Sequence, residues 1–420
     1  SVPLCGISEP EPMVRPECCA QTSVVLPPVR SLLPLGFPVM SMKLLAAVAL
    51  LSAALLLPAA SAAFAPLPLS DDPADPIDQA IEAQMAKAKI VGVGAAIIVD
   101  KRVVWTKGYG FADREQGRPF TPDTAMNTGS ISKAITGAAL MHAVQEGKVS
   151  LDQDINRWLP FKVVNPNFPD QPITLRQLAT HTSSITDREV AYAKAYHFGL
   201  DTPQPLGEFL AGYFAPGGVD ASKDNFLDAR PGTRRDYSNM AASLAGHIVE
   251  IAVGESLQEY TRRRFFGPLG MANTGWRLSD IPSANRATLY VVQGLPVPIQ
   301  PYELTTYPEG GLRTSVADLS RFFVALLNEG DYQGTRILDK ASAVEMLKFQ
   351  YDATNKPDNV NLSGEDSVNS GIFWATKYDV TRIGHNGADP GLVAMMLSNL
   401  SKDVGVIVFF NTAVAEADGG

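Results

Sequence analysis

Residues Ser130–Gly147 read SISKAITGAALMHAVQEG, and at their first residue the chain changes its period. Ile131, Ile135, Ala138, Ala139, His142 and Val144 recur at three- and four-residue steps. That is the spacing of a helix buried over most of its girth and stopped at Gly147. Upstream the signal is that of strands. Val91–Asp100 (VGVGAAIIVD) and Val103–Tyr109 (VVWTKGY) read as strands joined by a tight connection at Asp100-Lys101-Arg102, the opening hairpin of an antiparallel sheet. Further upstream, Ile77, Ile81 and Met85 give Ile77–Ala88 helical spacing behind a polar, Pro-containing lead-in from Asp71 to Pro76. After Gly147, helical patterns, loops and prolines dominate to about Gly270, and strand signals return at Ile372–Trp374, Val380–Ile383, Leu392–Leu397 and Val404–Phe410. Strands, a long helical stretch and strands again predict an α/β (α+β) fold. Its antiparallel sheet, flanked by helices, is split in sequence around an inserted all-helical domain, with a cleft between them. The folded domain is expected over 71–420, its sheet part at about 77–129 and 305–420 and its helical part at about 130–304.

Charge and composition narrow the partners. The chain has 420 residues, 35 Lys and Arg against 44 Asp and Glu, and a net charge of −9. No excess of cations exists to displace counterions from phosphates, which argues against a nucleic-acid partner. The three cysteines are Cys5, Cys18 and Cys19, so the main body has no disulfide scaffold, cysteine-based zinc site or cysteine nucleophile.

Near the start lie Met42-Lys43, the apolar run Leu44–Leu57, then Pro58 and small residues with an A-x-A site at Ala60-Ser61-Ala62. This reads as a secretory signal peptide over 42–62, shorter than the roughly 20 residues of a membrane span. The expectation is export to the periplasm or cell exterior, with a retained anchor as the lesser reading. Residues 1–41, rich in proline and without period, read as an upstream or non-native segment.

Three short motifs carry chemistry. Ser130-Ile131-Ser132-Lys133 is an S-x-x-K, and on a helix positions i and i+3 share a face, so the lysine amine reaches the serine hydroxyl. At a helix start the Ser130 N–H is also free to bind an oxyanion. Serine and lysine are common enough that about one such pair arises by chance. Tyr237-Ser238-Asn239 follows the turn-forming Pro231-Gly232: a tyrosine near a buried lysine serves as a proton shuttle and the asparagine amide holds substrate, whereas the plain reading is a turn with a helix cap. His385-Asn386-Gly387 opens a strand-rich stretch, where glycine lets a substrate backbone approach and the Ala388 N–H supplies a second oxyanion donor. Ser283-Ala284-Asn285 and His197-Phe198-Gly199 show that the last two patterns also arise elsewhere.

Together and in this order, the motifs resemble the serine β-lactamase and penicillin-binding protein superfamily, in particular its esterase-like and D-peptidase-like members. The resemblance runs over roughly 75–412 and includes Trp105–Gly110 (WTKGYG), EGKVSLDQDINRWLP, ITLRQLATHTSS, PGTRRDYSN, FFGPLGMANTGW, PEGGLRTSVADLSRF and GHNGADPG. It implies a β-lactamase/transpeptidase-like fold and an acyl-enzyme mechanism. Ser130 is then the nucleophile, and Lys133 with Tyr237 the proton-transfer network. Asn239 holds the substrate and positions Lys133. The N–H groups of Ser130 and Ala388 form the oxyanion hole, and His385 and Gly387 line the substrate edge. No cofactor and no metal is implied. The substrate is a small-molecule ester or peptide.

Two departures from the family pattern stand out. Many β-lactamases have lysine where this chain has His385, a residue mostly neutral at pH 7, which argues against efficient penicillin hydrolysis. Ser184 stands where the family more often has glycine, which bears on the loop's φ preference; His181 in the same stretch reads as structural. After Phe410 only NTAVAEADGG follows, too short for the helix that usually covers this sheet, so either the sequence is truncated or that face is covered otherwise. In the Asp187–Asp228 loop, Tyr192, Tyr196, Phe198, Phe209, Tyr213 and Phe214 read as packing rather than as an apolar acyl pocket. Other signatures fail: there is no G-x-S-x-G or H-E-x-x-H, and the five histidines lack metal-ligand spacing. The expected function is an exported serine hydrolase of small carboxylic esters. The alternatives are a D-amino-acid peptidase or β-lactamase on the same fold, or a non-catalytic cell-envelope binding protein.

Overall fold

The computed structural model describes residues 75–199, 204–364, 367–376 and 382–413. The signal-peptide segment, residues 1–41 with their cysteines, and residues 380–381 of the expected Val380–Ile383 strand lie outside the described residues.

Helix α1 (Pro76–Ala88) starts on Asp75, whose carboxylate accepts the Ile77 N–H at 2.8 Å, with proline in the first turn where its missing N–H costs nothing. Strands β1 (Gly92–Val99) and β2 (Arg102–Asp113) follow. Asp100 and Lys101 both take positive φ, 49° and 60°, which is the primed turn whose twist matches the flanking strands. Strand β3 (Arg118–Pro119) pairs with the far end of β2. A tight turn at Gly129–Ile131 runs into α2 (Ser132–Gln145). Helix α3 (Asn239–Val253) lies in the inserted region and α4 (Val316–Leu327) returns the chain to the sheet. Strands β4 (Asn369–Ser370), β5 (Ala375–Thr376), β6 (Arg382–Asp389), β7 (Leu392–Asn399) and β8 (Val404–Phe410) complete it.

The eight strands lie in the order β4-β5-β6-β7-β8-β1-β2-β3 and every pairing is antiparallel. The two ends of the sequence meet between β1 and β8, with Val93 opposite Phe410 and Val99 opposite Val404. The insertion thus leaves the sheet after β3 and comes back before β4. Helix α4 packs on one sheet face, with Val316 against Gly94 and Phe323 against Gly405. Alternate residues face the other way: Val93, Tyr109 and Val408 bury there with Ile81 and Met85 of α1. Helix α1 is further tied down by Asp78, which accepts from Tyr109 Oη at 2.5 Å and Lys107 Nζ at 2.6 Å. Helix α1 thus covers the part of this face around Val93, Tyr109 and Val408.

Ser132 through Ala143 of α2 are all buried, as the all-round apolar pattern predicts. Within 130–304 the helices are joined by short strand pairs, Tyr196–Phe198 with Tyr302–Leu304 and Tyr290–Gln293 with Leu295–Pro298. Ile372–Trp374, expected as a strand, is instead the turn between β4 and β5, with Phe373 at φ 49°. Its three large side chains are buried against the molecule, and burial of a turn gives the same apolar signature as a buried strand. Among the described residues no helix is long and apolar enough to cross a membrane.

Candidate active site

The turn at Gly129–Ile131 is held from two sides. Ser132 Oγ donates to the Gly129 carbonyl at 2.7 Å and accepts the Leu312 N–H at 2.9 Å, while the Thr128 N–H reaches the Leu312 carbonyl at 3.0 Å. Ser130 sits in this turn, partly exposed. One helical turn on, Lys133 is 0% exposed, and its Nζ lies 3.1 Å from Ser130 Oγ. The same ammonium faces Asn239 Oδ1 at 2.7 Å, the Glu309 carbonyl at 2.9 Å and Glu309 Oε2 at 3.1 Å. Three hydrogens therefore serve four acceptors besides Tyr237, whose ring centroid is 4.9 Å from Nζ. Burial opposes the charge on Lys133, but the hydrogen-bonded Tyr237 and Glu309 side chains outweigh it, and its pKa is raised above the ordinary lysine value.

Tyr237 and Asn239 owe their places to the start of α3. Ser238 is the N-cap and its Oγ accepts the Ala241 N–H at 3.0 Å. The helix-cap reading and the site reading of this tripeptide hold together: the cap aims Asn239 at Lys133. A second acceptor sits on the same helix end. The Asp187 carboxylate takes the Ser238 hydroxyl at 2.7 Å, the Asn239 N–H at 2.7 Å and the Met240 N–H at 3.0 Å. Desolvation nevertheless raises its pKa. His181 stacks on Tyr237 with ring centroids 4.3 Å apart and accepts the Ser238 N–H through Nδ1 at 3.2 Å. It is structural, as expected, and burial holds its pKa well below the ordinary value. Ser184 does take the left-handed backbone of a glycine, φ 63°, and its Oγ accepts from Asn165 Nδ2 at 2.9 Å.

Strand β6 closes the site. Its residues His385–Asp389 pair with β7 on one side, and the strand packs against the Ser130 turn. A Cβ on Gly387 would stand 1.9 Å from the Thr128 carbonyl oxygen, so only glycine allows this approach. A Cβ on Gly129, which has φ 51°, would lie 3.2 Å from the Ala388 nitrogen, placing that N–H beside the turn that carries Ser130. His385 is 3% exposed; its Nδ1 lies 2.6 Å from the Asn386 carbonyl and its Nε2 is buried without a partner. Burial first, then the Lys133 charge, pushes its pKa down to about 3, so the ring is neutral at pH 7.

The structure thus brings together Ser130, Lys133, Tyr237, Asn239, His385, Gly387 and Ala388. Sequence reasoning missed Glu309 and Asp187. Both lay inside stretches already quoted for resemblance or just after them, yet no motif chemistry marked either one. Phe209, Tyr213 and Phe214 are buried packing as expected, but Tyr192 and Tyr196 turn their hydroxyls to Glu309 and Asp389. Among the described residues no group of three or more His, Cys, Asp or Glu is arranged to hold a metal ion.

A split antiparallel sheet, a serine at the head of a buried helix and a lysine one turn behind it define the serine β-lactamase and penicillin-binding protein fold. Residues 77–420 match the family described as Beta-lactamase, and the chain belongs to that family of β-lactamase-fold hydrolases. It is 26% identical over 353 residues to Protein flp of Staphylococcus aureus (strain N315), covering 82% of this chain and 64% of that protein. The octameric penicillin-binding protein homologue from Pyrococcus abyssi superimposes with a TM-score of 0.67 at 26% identity, over 80% of this chain and 73% of that one. D-amino acid amidase from Ochrobactrum anthropi SV3 shares the fold with a TM-score of 0.62 at 23% identity, over 79% of this chain and 89% of that one.

Proposed function

We propose that the protein is an exported serine hydrolase that forms an acyl-enzyme at Ser130 and hydrolyses small carboxylic esters. One observation carries the reading: Lys133 Nζ is 3.1 Å from Ser130 Oγ and anchored by Asn239 at 2.7 Å, with Tyr237 alongside. Ser130 Oγ attacks the ester carbonyl and its proton leaves through the Lys133–Tyr237 pair, which returns a proton to the departing alkoxide. The Ser130 and Ala388 N–H groups meet the charge that develops on the carbonyl oxygen. Asn239, His385 and Gly387 hold the substrate, and water then releases the acid. A neutral His385 on the strand edge supports an uncharged ester over a substrate that needs a fixed cation at that position. Export rests on Met42-Lys43, Leu44–Leu57 and Ala60-Ser61-Ala62.

Arg235 favours a second reading. It lies two residues before Tyr237, with its guanidinium beside the buried Tyr351 hydroxyl, and would offer a substrate carboxylate a cation on that side of the site. A D-peptide or a penicillin carries such a group. Hydrolysis of p-nitrophenyl butyrate by the chain from Ala63 onward tests the first reading. Ser130→Ala should lower kcat/KM at least ~1000-fold; an unchanged rate in the mutant removes Ser130 as nucleophile. A folded parent that leaves the ester intact but gains a penicilloyl adduct, or cleaves D-amino-acid amides, shifts the assignment to the second.

A further inference from the structure

Glu309 stands where a side chain is expensive to ionise. It is 2% exposed, on the one-turn helix Tyr307–Gly310, whose Pro308 packs against Gly246 of α3. Both of its carboxylate oxygens are nonetheless occupied. Oε2 pairs with Lys133 Nζ at 3.1 Å; Oε1 accepts from Tyr192 Oη at 2.5 Å and Thr306 Oγ1 at 3.3 Å. The Tyr192 hydroxyl lies 3.5 Å from that of Tyr196, which donates to Asp389 Oδ1 at 2.7 Å. A chain of polar side chains thus runs from the lysine to the residue after Ala388. At its far end Asp389 also meets the buried Tyr302 hydroxyl.

We propose that Glu309 is a positioning residue of this site, a buried counter-ion that keeps the Lys133 amine an ammonium and fixed on Ser130. The proposal rests on the acyl-enzyme reading and deepens it. An ammonium donates to Ser130 Oγ and has no lone pair to accept its proton. The Ser130 O–H bond therefore breaks toward the Tyr237 oxygen, which gives up its own proton toward the leaving oxygen, so that no proton is gained or lost by Lys133. The other charged and titratable groups around the pair do not replace Glu309. His181 and His385 are neutral at pH 7, and Arg235 repels protons. Asp187 spends its oxygens on the start of α3, and Asp389 reaches Lys133 only through the two tyrosines. A buried amine without its counter-charge loses its proton at lower pH.

The test follows the rate at which a fluorophosphonate labels Ser130, read by intact mass across pH 5–10, in the parent, E309Q, E309D and Y192F. The E309Q rate should fall away inside that range, by about pH 8.5, where the parent's holds to the alkaline end. E309D, which keeps the charge, should restore most of the parental profile. Y192F takes one of two donors from Glu309 Oε1 but leaves the carboxylate charge beside Lys133, so its profile should stay with the parent's. An E309Q profile that superimposes on the parent's overturns the proposal, as does a rate that rises where Lys133 becomes neutral, because the amine is then a base. If E309Q does not fold, a parent rate that already falls away between about pH 7 and 9 overturns it instead, because Lys133 is then not held as an ammonium. A folded parent whose Ser130 is not labelled overturns the acyl-enzyme reading itself, and the proposal with it.

Discussion

Asp187 shows how a side chain outside the proposed substrate contacts can place Asn239, which is proposed to make one. Its two oxygens collect three donors at the start of α3, two of them backbone N–H groups that have no partner within the helix. Replacing one oxygen by an amide sets a donor against a donor, since the Asn239 N–H and the new NH2 compete for nothing. Asp187→Asn should therefore cost about 1–3 kcal/mol of stability. The first turn of α3 should loosen, and with it the 2.7 Å contact from Asn239 Oδ1 to Lys133. Loss of such orienting partners typically costs about 10–100-fold in activity, and that fall is expected in kcat/KM for an ester substrate. Urea denaturation and steady-state kinetics on the same preparation check both. A destabilised Asp187→Asn with unaltered kinetics would confine Asp187 to holding the helix. Nothing in the local sequence marks this residue: a lone aspartate in a loop is ordinary, and its value comes from a helix start more than fifty residues later in the chain.

Between elements, the critical contact is that of β6 with the Ser130 turn. Gly387 has no room for a Cβ, which would sit 1.9 Å from the Thr128 carbonyl and 3.1 Å from the Ser130 nitrogen. Gly387→Ala must push the strand from the turn and widen the gap between the two proposed oxyanion donors, Ser130 N and Ala388 N. Removal of one such donor costs about 100–1000-fold in kcat elsewhere, and a fall of that order is expected. The strand is also held by its full ladder to β7, so the variant should remain folded by circular dichroism; retained activity would mean that Ala388 does not bind the oxyanion. This contact was half legible. The H-x-G pattern put glycine where a chain approaches closely, but which chain approaches is a tertiary fact. The helices and the long strands were legible because period and burial agree: α2 is apolar all round, and β8 appears with the bounds read from VGVIVFF. Ile372–Trp374 failed because three large apolar residues in a buried turn carry no period to distinguish them from a strand.

Across the whole molecule, the closure of the sheet between β1 and β8 buries a set of titratable groups in the space between sheet and insertion, and these should set how stability varies with pH. His385 has a folded pKa of about 3 and His181 lies well below the ordinary value, both chiefly through burial. The unfolded chain takes up these protons near pH 6.5, before the folded one does. Stability is therefore unaffected above that pH and lost as pH falls below it, by up to about 1.4 kcal/mol per pH unit for each histidine. His142 and His197, also lowered by burial, act in the same sense. Asp389 acts in the opposite one. Desolvation raises its carboxyl to about 7 from 3.8, so the folded state binds its proton first and gains stability as pH falls from 7 toward 4. Carboxylates with lowered pKa values, such as Asp78 and Asp113, contribute only below that window. Asp187 and Asp318, raised by desolvation too, act with Asp389; with four lowered histidines against these three carboxyls, urea midpoints should decline from pH 7 to pH 4.5 at constant m-value. His385→Asn should flatten the decline, because an amide can keep the bond to the Asn386 carbonyl without titrating. Asp389→Asn should steepen it by removing one of the opposing groups. A midpoint that is level or rises between pH 6.5 and 4.5 in the parent would mean that the site is wet enough for both histidines to ionise in place, and the neutral ring on which the ester reading leans would go with it.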